Sequence, residues 1–237
     1  MFLYWKMSIV NKIINQSRGG GRIQNLKVRV PEDCPTLQQA VDWVHTNRAY
    51  TTIVVGEGIH HVINRGELVI PSAMNIEGDP RVDKSEIVVV GGIMFHPGTG
   101  HLQHLIISHA RYCGVVGRSF TMDDVVVQNC ELNGVVCMGG IVKCNNVLVQ
   151  ECRSGTGVSV INGGSITLVG LRTKVCHNNQ GLVAYGLSSV QASVIKVVSP
   201  MTKELVSTDN ISRDFSNGVF SIGSEAINEV ESSQFRF

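Results

Sequence analysis

The sequence predicts an all-β fold, a parallel β-helix in which short strands stack turn upon turn. Three observations lead to this prediction: strand-like segments that recur every 20 to 24 residues, an aromatic content of only 5%, and 25 glycines against 6 prolines in 237 residues. Repeats of this length with alternating apolar residues are typical of solenoids, whose single turns cannot bury their inner faces alone. A narrow interior also accepts Val, Ile, Leu and Cys more easily than large rings.

Four segments share one register and define the predicted turns: 105–111, 125–131, 147–153 and 171–177. In this alignment Ala110, Cys130, Cys152 and Cys176 form one column. Side chains alternate across a strand, so this column is expected to point into the coil. The thiols are then buried and inert, and a reducing compartment (cytoplasm or virion) is expected for a chain with an odd number of cysteines, seven.

The chain is expected to have three parts. Residues 1–27 form an N-terminal arm, residues 28–208 the β-helix, and residues 209–237 a C-terminal cap with a polar tail. Within the β-helix, residues 36–47 predict an amphipathic helix that covers the open end of the first coil. Thr36 and Gln39 are placed to form its capping box. Five further strands are predicted before the regular repeats: 52–55, 67–70, 75–77, 86–90 and 92–95.

Charge and hydropathy exclude several classes of partner. The net charge is +1 and no basic block is present, so no nucleic-acid partner is expected. The longest apolar stretch, Ile87 to Phe95, is about half the ~18 residues that a membrane-spanning helix needs. The N-terminus is interrupted by Lys6 and does not match a signal peptide.

Three segments resemble the pectin-lyase-like superfamily of right-handed β-helices: ProThrLeuGlnGlnAlaValAsp at 35–42, ThrIleValValGlyGluGlyIleHis at 52–60 and AsnIleGluGly at 75–78. Residues 30–37 and 199–207 are similar to uncharacterised β-helix proteins of algae and large DNA viruses. The resemblance implies a right-handed coil and a carbohydrate ligand, or a place in a viral or algal particle. It says little about chemistry, because one scaffold hosts many functions.

The catalytic motifs of the superfamily's pectin esterases, polygalacturonases, pectate lyases and alginate epimerases are absent. Only the pair Asp123-Asp124 matches any of them, and a lone Asp-Asp is a weak signal. Calcium takes six to eight oxygen ligands, and the carboxylates that might supply them are scattered. No metal or other cofactor is therefore predicted, although calcium stays open. The scattered carboxylates are Asp79, Asp83, Glu86, Asp123 and Asp124.

Polar residues on both sides of the Ala/Cys column predict two adjacent ladders on the outside of the coil. His109, Asn129 and Glu151 precede the column; Arg111, Glu131, Arg153 and His177 follow it. The ladders have two interpretations. They are exposed charge pairs that stabilise the stack by about 0–1 kcal/mol each, or they form a groove for a sugar or an acid. Glu131, Glu151 and Arg153 are candidate catalytic groups only if burial raises the pKa of one of the carboxyls.

Two other polar sets are assigned to turns. The pairs Gln103-His104, Asp123-Asp124 and Asn145-Asn146 share a register, and Asx side chains at turns usually bond the nearby backbone. Four histidines crowd into one region without the spacing of a zinc site, so solvated turns are expected there. These histidines are His96, His101, His104 and His109.

Two functions are compatible with the sequence. The first is a non-catalytic binding or assembly protein that uses an outward face for a polysaccharide or for packing against a protein in a larger, possibly viral, particle. The alternative is a divergent carbohydrate-active enzyme, a polysaccharide lyase, epimerase or hydrolase, with its site on the ladders. A homo-oligomer is compatible with both.

Overall fold

The computed structural model describes residues 26–62, 66–96, 99–184, 188–192, 196–198 and 219–222. These residues form a parallel β-helix of about seven turns, as the sequence predicts. Nearly all of the predicted arm and most of residues 209–237 lie outside the described residues. Within the predicted C-terminal part, Val219–Ile222 forms a strand that continues the stack.

Each turn has three faces, and every pairing between turns is parallel. Face 1 contains β1 (Leu26–Val30), β2 (Tyr50–Val55), β5 (Met74–Gly78), the first part of β8 (Gly100–Ser108) and of β10 (Phe120–Gln128), β12 (Ile141–Asn145), β15 (Ser165–Val169), β18 (Ser189–Ala192) and β20 (Val219–Ile222). Face 2 contains β3 (Gly58–His61), β6 (Ile87–Val90), the second parts of β8 and β10, β13 (Leu148–Gln150), β16 (Lys174–Cys176) and β19 (Lys196–Val198). Face 3 contains β4 (Glu67–Ile70), β7 (Gly92–Phe95), β9 (Val115–Gly117), β11 (Val135–Met138), β14 (Thr156–Ile161) and β17 (Gln180–Ala184).

In the regular turns, the corners on either side of face 2 are each made by a single residue in the left-handed conformation. One such residue bends an extended chain sharply, and short polar side chains tolerate that conformation better than apolar ones. Between faces 1 and 2 the φ angles are 53° to 54°, at His104, Asp124 and Asn146. Between faces 2 and 3 they are 54° to 59°, at His109, Asn129, Glu151 and His177.

The interior column at the second of these corners differs from the sequence prediction in its fourth member. Strand β13 pairs with β16 so that Gln150 lies beside Cys176, which removes Cys176 from the column. Asn178 takes the inner place and is buried. Its Oδ1 accepts from Cys152 N at 3.0 Å, and its Nδ2 donates to Val149 O at 3.1 Å. The alignment on cysteine is therefore wrong in this turn, because the residues after β15 make the turn longer than its neighbours.

The other members of the column are buried as predicted and require glycines beside them. Cys130 and Cys152 are fully buried. A Cβ on Gly114 would lie 2.3 Å from Val127 Cγ1 and 2.9 Å from Cys130 Sγ, and one on Gly134 would lie 2.4 Å from Val149 Cγ1 and 3.1 Å from Cys152 Sγ. These two positions therefore need glycine, because a valine methyl and a thiol of the next turn fill the space that a side chain would occupy.

The predicted helix is present as α1 (Leu37–Thr46). Thr36 caps it by accepting a hydrogen bond from Gln39 N at 3.2 Å. The helix packs against β1 and β2 at the start of the stack and buries its apolar face there. The second bond of a capping box is not made, since the buried Oε1 of Gln39 has no partner among the described residues. No helix in the described part of the chain has the length and apolar character to cross a membrane.

Candidate functional site

The seven residues predicted as ladders all lie at the corner between faces 2 and 3, which we name the ladder corner (residues 109–112, 129–132, 151–154 and 177–179). The structure arranges them in two columns. The left-handed residues form the first: His109, Asn129, Glu151 and His177. Arg111, Glu131 and Arg153 form the second. His177 was expected in the second column; the longer turn moves it to the first, and Asn179 takes its place.

Backbone hydrogen bonds between successive turns hold the second column in register. Glu131 N donates to Ala110 O at 2.9 Å, and Arg153 N donates to Cys130 O at 3.1 Å. In the next turn, Asn179 N donates to Cys152 O at 3.1 Å. Stacked strands repeat about every 4.8 Å, so the corner presents one set of polar side chains per turn on a rigid backbone.

The charged side chains of the ladder corner share a register but form no ion pairs with the part of the chain that the structure describes. Six of the seven are exposed, and Asn129 is half-buried. Among the described residues, no ion pair within 4.0 Å involves Arg111, Glu131 or Arg153. His109 is the one member with a side-chain hydrogen bond in the described part of the chain, 2.7 Å from Ser108 Oγ. Most donors and acceptors of this corner therefore face solvent.

An exposed aromatic ring stands beside these columns. Tyr112 is 45% exposed and Leu132 is 41% exposed, and Leu132 N donates to Tyr112 O at 3.1 Å. The Arg111 guanidinium lies 5.8 Å from the centre of the Tyr112 ring. A tyrosine combines an apolar face with a polar hydroxyl, so the ring offers a platform next to hydrogen-bonding groups.

At the corner between faces 1 and 2, by contrast, the charged side chains form ion pairs with one another. We name this corner the Asp124 corner: Val82, Lys84, His104, Asp124 and Arg172. Lys84 Nζ lies 2.7 Å from Asp124 Oδ1, and Arg172 Nη1 lies 3.3 Å from the same oxygen. His104 Nδ1 lies 2.9 Å from Asp124 Oδ2, and His104 Nε2 lies 3.0 Å from Val82 O. The Asp124 carboxylate is thus in contact with side chains from three other parts of the coil.

Both ring nitrogens of His104 face acceptors, and this determines its protonation. A carbonyl oxygen and a carboxylate only accept, so this geometry favours the doubly protonated imidazolium form of the ring. Partial burial works against the charge, but the hydrogen bonds to Val82 O and Asp124 outweigh it and raise the pKa of His104. Burial likewise works against the Asp124 charge, but hydrogen bonds from Lys84 and His104 outweigh it and lower the pKa of Asp124.

Sequence reasoning singled out Asp124 and His104, but it missed Lys84 and Arg172 and did not predict the contact between them. The prediction that these polar pairs bond the local backbone is wrong for all three pairs. The carboxylates of Asp123 and Asp124 bond side chains of other turns. Members of the other two pairs also bond groups of other turns: His104, Asn145 and Asn146. Asp123 Oδ1 accepts from Asn145 Nδ2 at 2.8 Å. Lys84 belongs to a loop at 79–86 and Arg172 to one at 170–173, and each loop interrupts the regular repeat. Such interruptions are the one signal in the sequence for the network.

Metal binding and acid–base catalysis receive no support from the placement of the predicted candidates. Within the described residues, no group of three or more His, Cys, Asp or Glu side chains is placed to hold a metal ion. The clustered histidines of the sequence separate in space: His101 lies on face 1, His104 at the Asp124 corner and His109 at the ladder corner. Glu131 and Glu151 are exposed, so the burial that a catalytic carboxylic acid would need is missing at both.

The chain was compared with known proteins in three ways. No protein-family model matches it, and neither a curated protein nor a solved structure matches it.

Proposed function

We propose that the protein is a non-catalytic β-helix binding protein that holds an extended polysaccharide along the ladder corner. The observation that carries this proposal is the pair of exposed polar columns whose side chains repeat once per turn and lack ion pairs among the described residues. Charged groups without protein partners are available to a ligand, whereas paired charges are already used within the fold.

The spacing of the columns suits a polymer. Turns of a coil recur about every 4.8 Å, a distance close to the length of one sugar ring in an extended chain. Arg111 and Arg153 are donors to sugar oxygens, and Glu131 between them accepts from hydroxyl groups. Tyr112 adds a ring on which the apolar side of a sugar can stack. Because the backbone hydrogen bonds already hold this surface rigid, little ordering cost is paid on binding.

Exposure of Glu131 and Glu151 favours binding over turnover. A general acid needs surroundings that keep it protonated at neutral pH, which burial supplies and exposure does not. The resemblance of the sequence to the pectin-lyase-like superfamily supports a carbohydrate as the ligand.

The test is a panel of neutral and acidic polysaccharides, assayed by retention in affinity gel electrophoresis and, in parallel, for unsaturated products and new reducing ends. We expect retention by at least one polymer and no turnover. Tyr112→Ala and Arg153→Ala should each weaken retention about tenfold, which corresponds to about 1.4 kcal/mol. Glu57→Ala is the control, because Glu57 is also exposed but lies between β2 and β3, away from the ladder corner.

Three results would overturn the proposal in different ways. Turnover that Glu131→Ala abolishes would make the ladder corner an active site. Retention that the ladder variants leave unchanged would place the ligand elsewhere. No retention by any polymer would exclude a polysaccharide and favour a protein assembly, which light scattering and cross-linking would then define.

A further inference from the structure

The Asp124 corner carries more positive than negative charge. Three cationic side chains, those of Lys84, His104 and Arg172, meet the single carboxylate of Asp124. A second carboxylate, that of Asp83, interacts electrostatically with His104 and Lys84 and accepts hydrogen bonds from Ser85 N at 2.8 Å and Ser85 Oγ at 2.6 Å. With an imidazolium at His104, the three cations exceed the two carboxylates of Asp124 and Asp83 by one positive charge.

Two of the cations still have hydrogen-bond donors to offer. An ammonium has three donors, and Lys84 uses one on Asp124; a guanidinium has five, and Arg172 uses one at the long distance of 3.3 Å. His104 has none left, since both its nitrogens are used. Arg172 is 67% exposed, so its free donors are open to solvent.

The free donors also lie close together. Lys84 Nζ and Arg172 Nη1 contact the same oxygen, Asp124 Oδ1. Two cationic nitrogens that converge on one oxygen are near enough for a second oxyanion to bridge them. Asp124 does not repel that anion strongly, because its own charge is offset by three cations.

We propose that the Asp124 corner is an oxyanion site, in which Lys84 and Arg172 bind a sulfate, phosphate or carboxylate group and His104 contributes charge without touching it. The site is independent of the polysaccharide surface at the ladder corner, since the two corners lie on opposite edges of face 2. Guanidinium and ammonium groups are the side chains that proteins use most for such anions. The oxyanion is either a free ion or a group carried by a larger ligand.

The test is titration of the full chain with sodium sulfate at constant ionic strength, balanced with chloride, at about pH 6 and with the melting temperature and the heat of binding as readouts. We expect a saturable effect of sulfate. Arg172→Gln should weaken it roughly threefold or more, and the exposed Arg118→Gln at the corner between faces 3 and 1 is the matched control. Dextran sulfate against dextran then distinguishes a polymer-borne group from a free ion.

A second variant is expected to raise the affinity for sulfate. Asp124→Asn keeps a side chain that tolerates the left-handed backbone while removing the competing carboxylate, so sulfate should bind more tightly. Binding should also weaken at higher pH as His104 loses its proton, in surroundings set by Asp83, Lys84, Asp124 and Arg172. Absence of a saturable effect, or equal losses in Arg172→Gln and Arg118→Gln, would overturn the site. Neither result bears on the ladder corner.

Discussion

The two corners that flank face 2 are built alike and use their charges in opposite ways. Each turns on a column of polar residues in the left-handed conformation. At the Asp124 corner, Lys84, His104 and Arg172 converge on one half-buried carboxylate. At the ladder corner, arginines and glutamates alternate in exposed positions with no ion pair among the described residues.

Loop length explains the difference. The Asp124 corner receives Lys84 and Arg172 from loops that leave the regular stack, so side chains of distant turns reach one point. The ladder corner has short connections, of three to six residues between the strands of faces 2 and 3, and these place each polar side chain beside the corresponding one of the next turn. Convergent charges stabilise the fold, whereas parallel exposed charges contribute little to stability and stay available to a ligand.

The largest expected effect concerns the interior side of the ladder corner. Cys152→Asp would place an unpartnered carboxylate at a fully buried position, at a cost of about 4 kcal/mol or more. We expect the variant to be unfolded or nearly so in urea denaturation followed by circular dichroism. Arg153→Asp, one residue on and exposed, should fold normally. Wild-type stability of Cys152→Asp would show that the inner column is wrongly assigned.

A matched pair of truncations compares the corners directly. Asp124→Ala leaves three cations without their carboxylate and puts alanine in a left-handed conformation, so we expect a loss of about 2 to 3 kcal/mol of unfolding free energy. Glu131→Ala should change it by no more than about 0.5 kcal/mol. Both are measured from urea unfolding curves at neutral pH. Similar losses in the two variants would abolish the distinction between the corners.

The smallest effect is the pH dependence of stability that the Asp124 corner contributes. The pKa of His104 is raised in the fold, so its contribution is complete below its ordinary pKa of 6.5 and is lost as pH rises through the folded value. The pKa of Asp124 is lowered, so its contribution is present above 3.8 and is lost as pH falls through the folded value. Both contributions are therefore present between pH 3.8 and 6.5.

The measurement is the difference in unfolding free energy between wild type and His104→Gln across this range and above it. We expect the difference to shrink by up to about 1 kcal/mol toward alkaline pH. His109→Gln is the control from the ladder corner. A difference that stays constant with pH would mean that the charge on His104 does not hold the Asp124 corner together.

Much of the coil can be predicted from the sequence because its information is local and periodic. The strands at 67–70 and 92–95 agree with the prediction at every residue, since alternation and flanking turn residues define them. Strand β3 (Gly58–His61) is missed, because its two adjacent histidines hide the alternation. The register predicted for the fourth turn is wrong because Cys176 has the same residue type as the cysteines of the preceding turns and is aligned with them. The residue that takes the inner place is Asn178, and its burial depends on hydrogen bonds to another turn.

The sequence by itself determined the stack, the capping helix and the inner column through Cys152, because repeat length and two-residue alternation decide which side chains face inward. The alignment of the repeats also predicts that the ladder residues lie side by side on the outside of the coil. Only the tertiary structure decided which charges are paired. Lys84 and Asp124 are 40 residues apart, and their contact depends on where a loop of irregular length folds back, which no periodic pattern encodes.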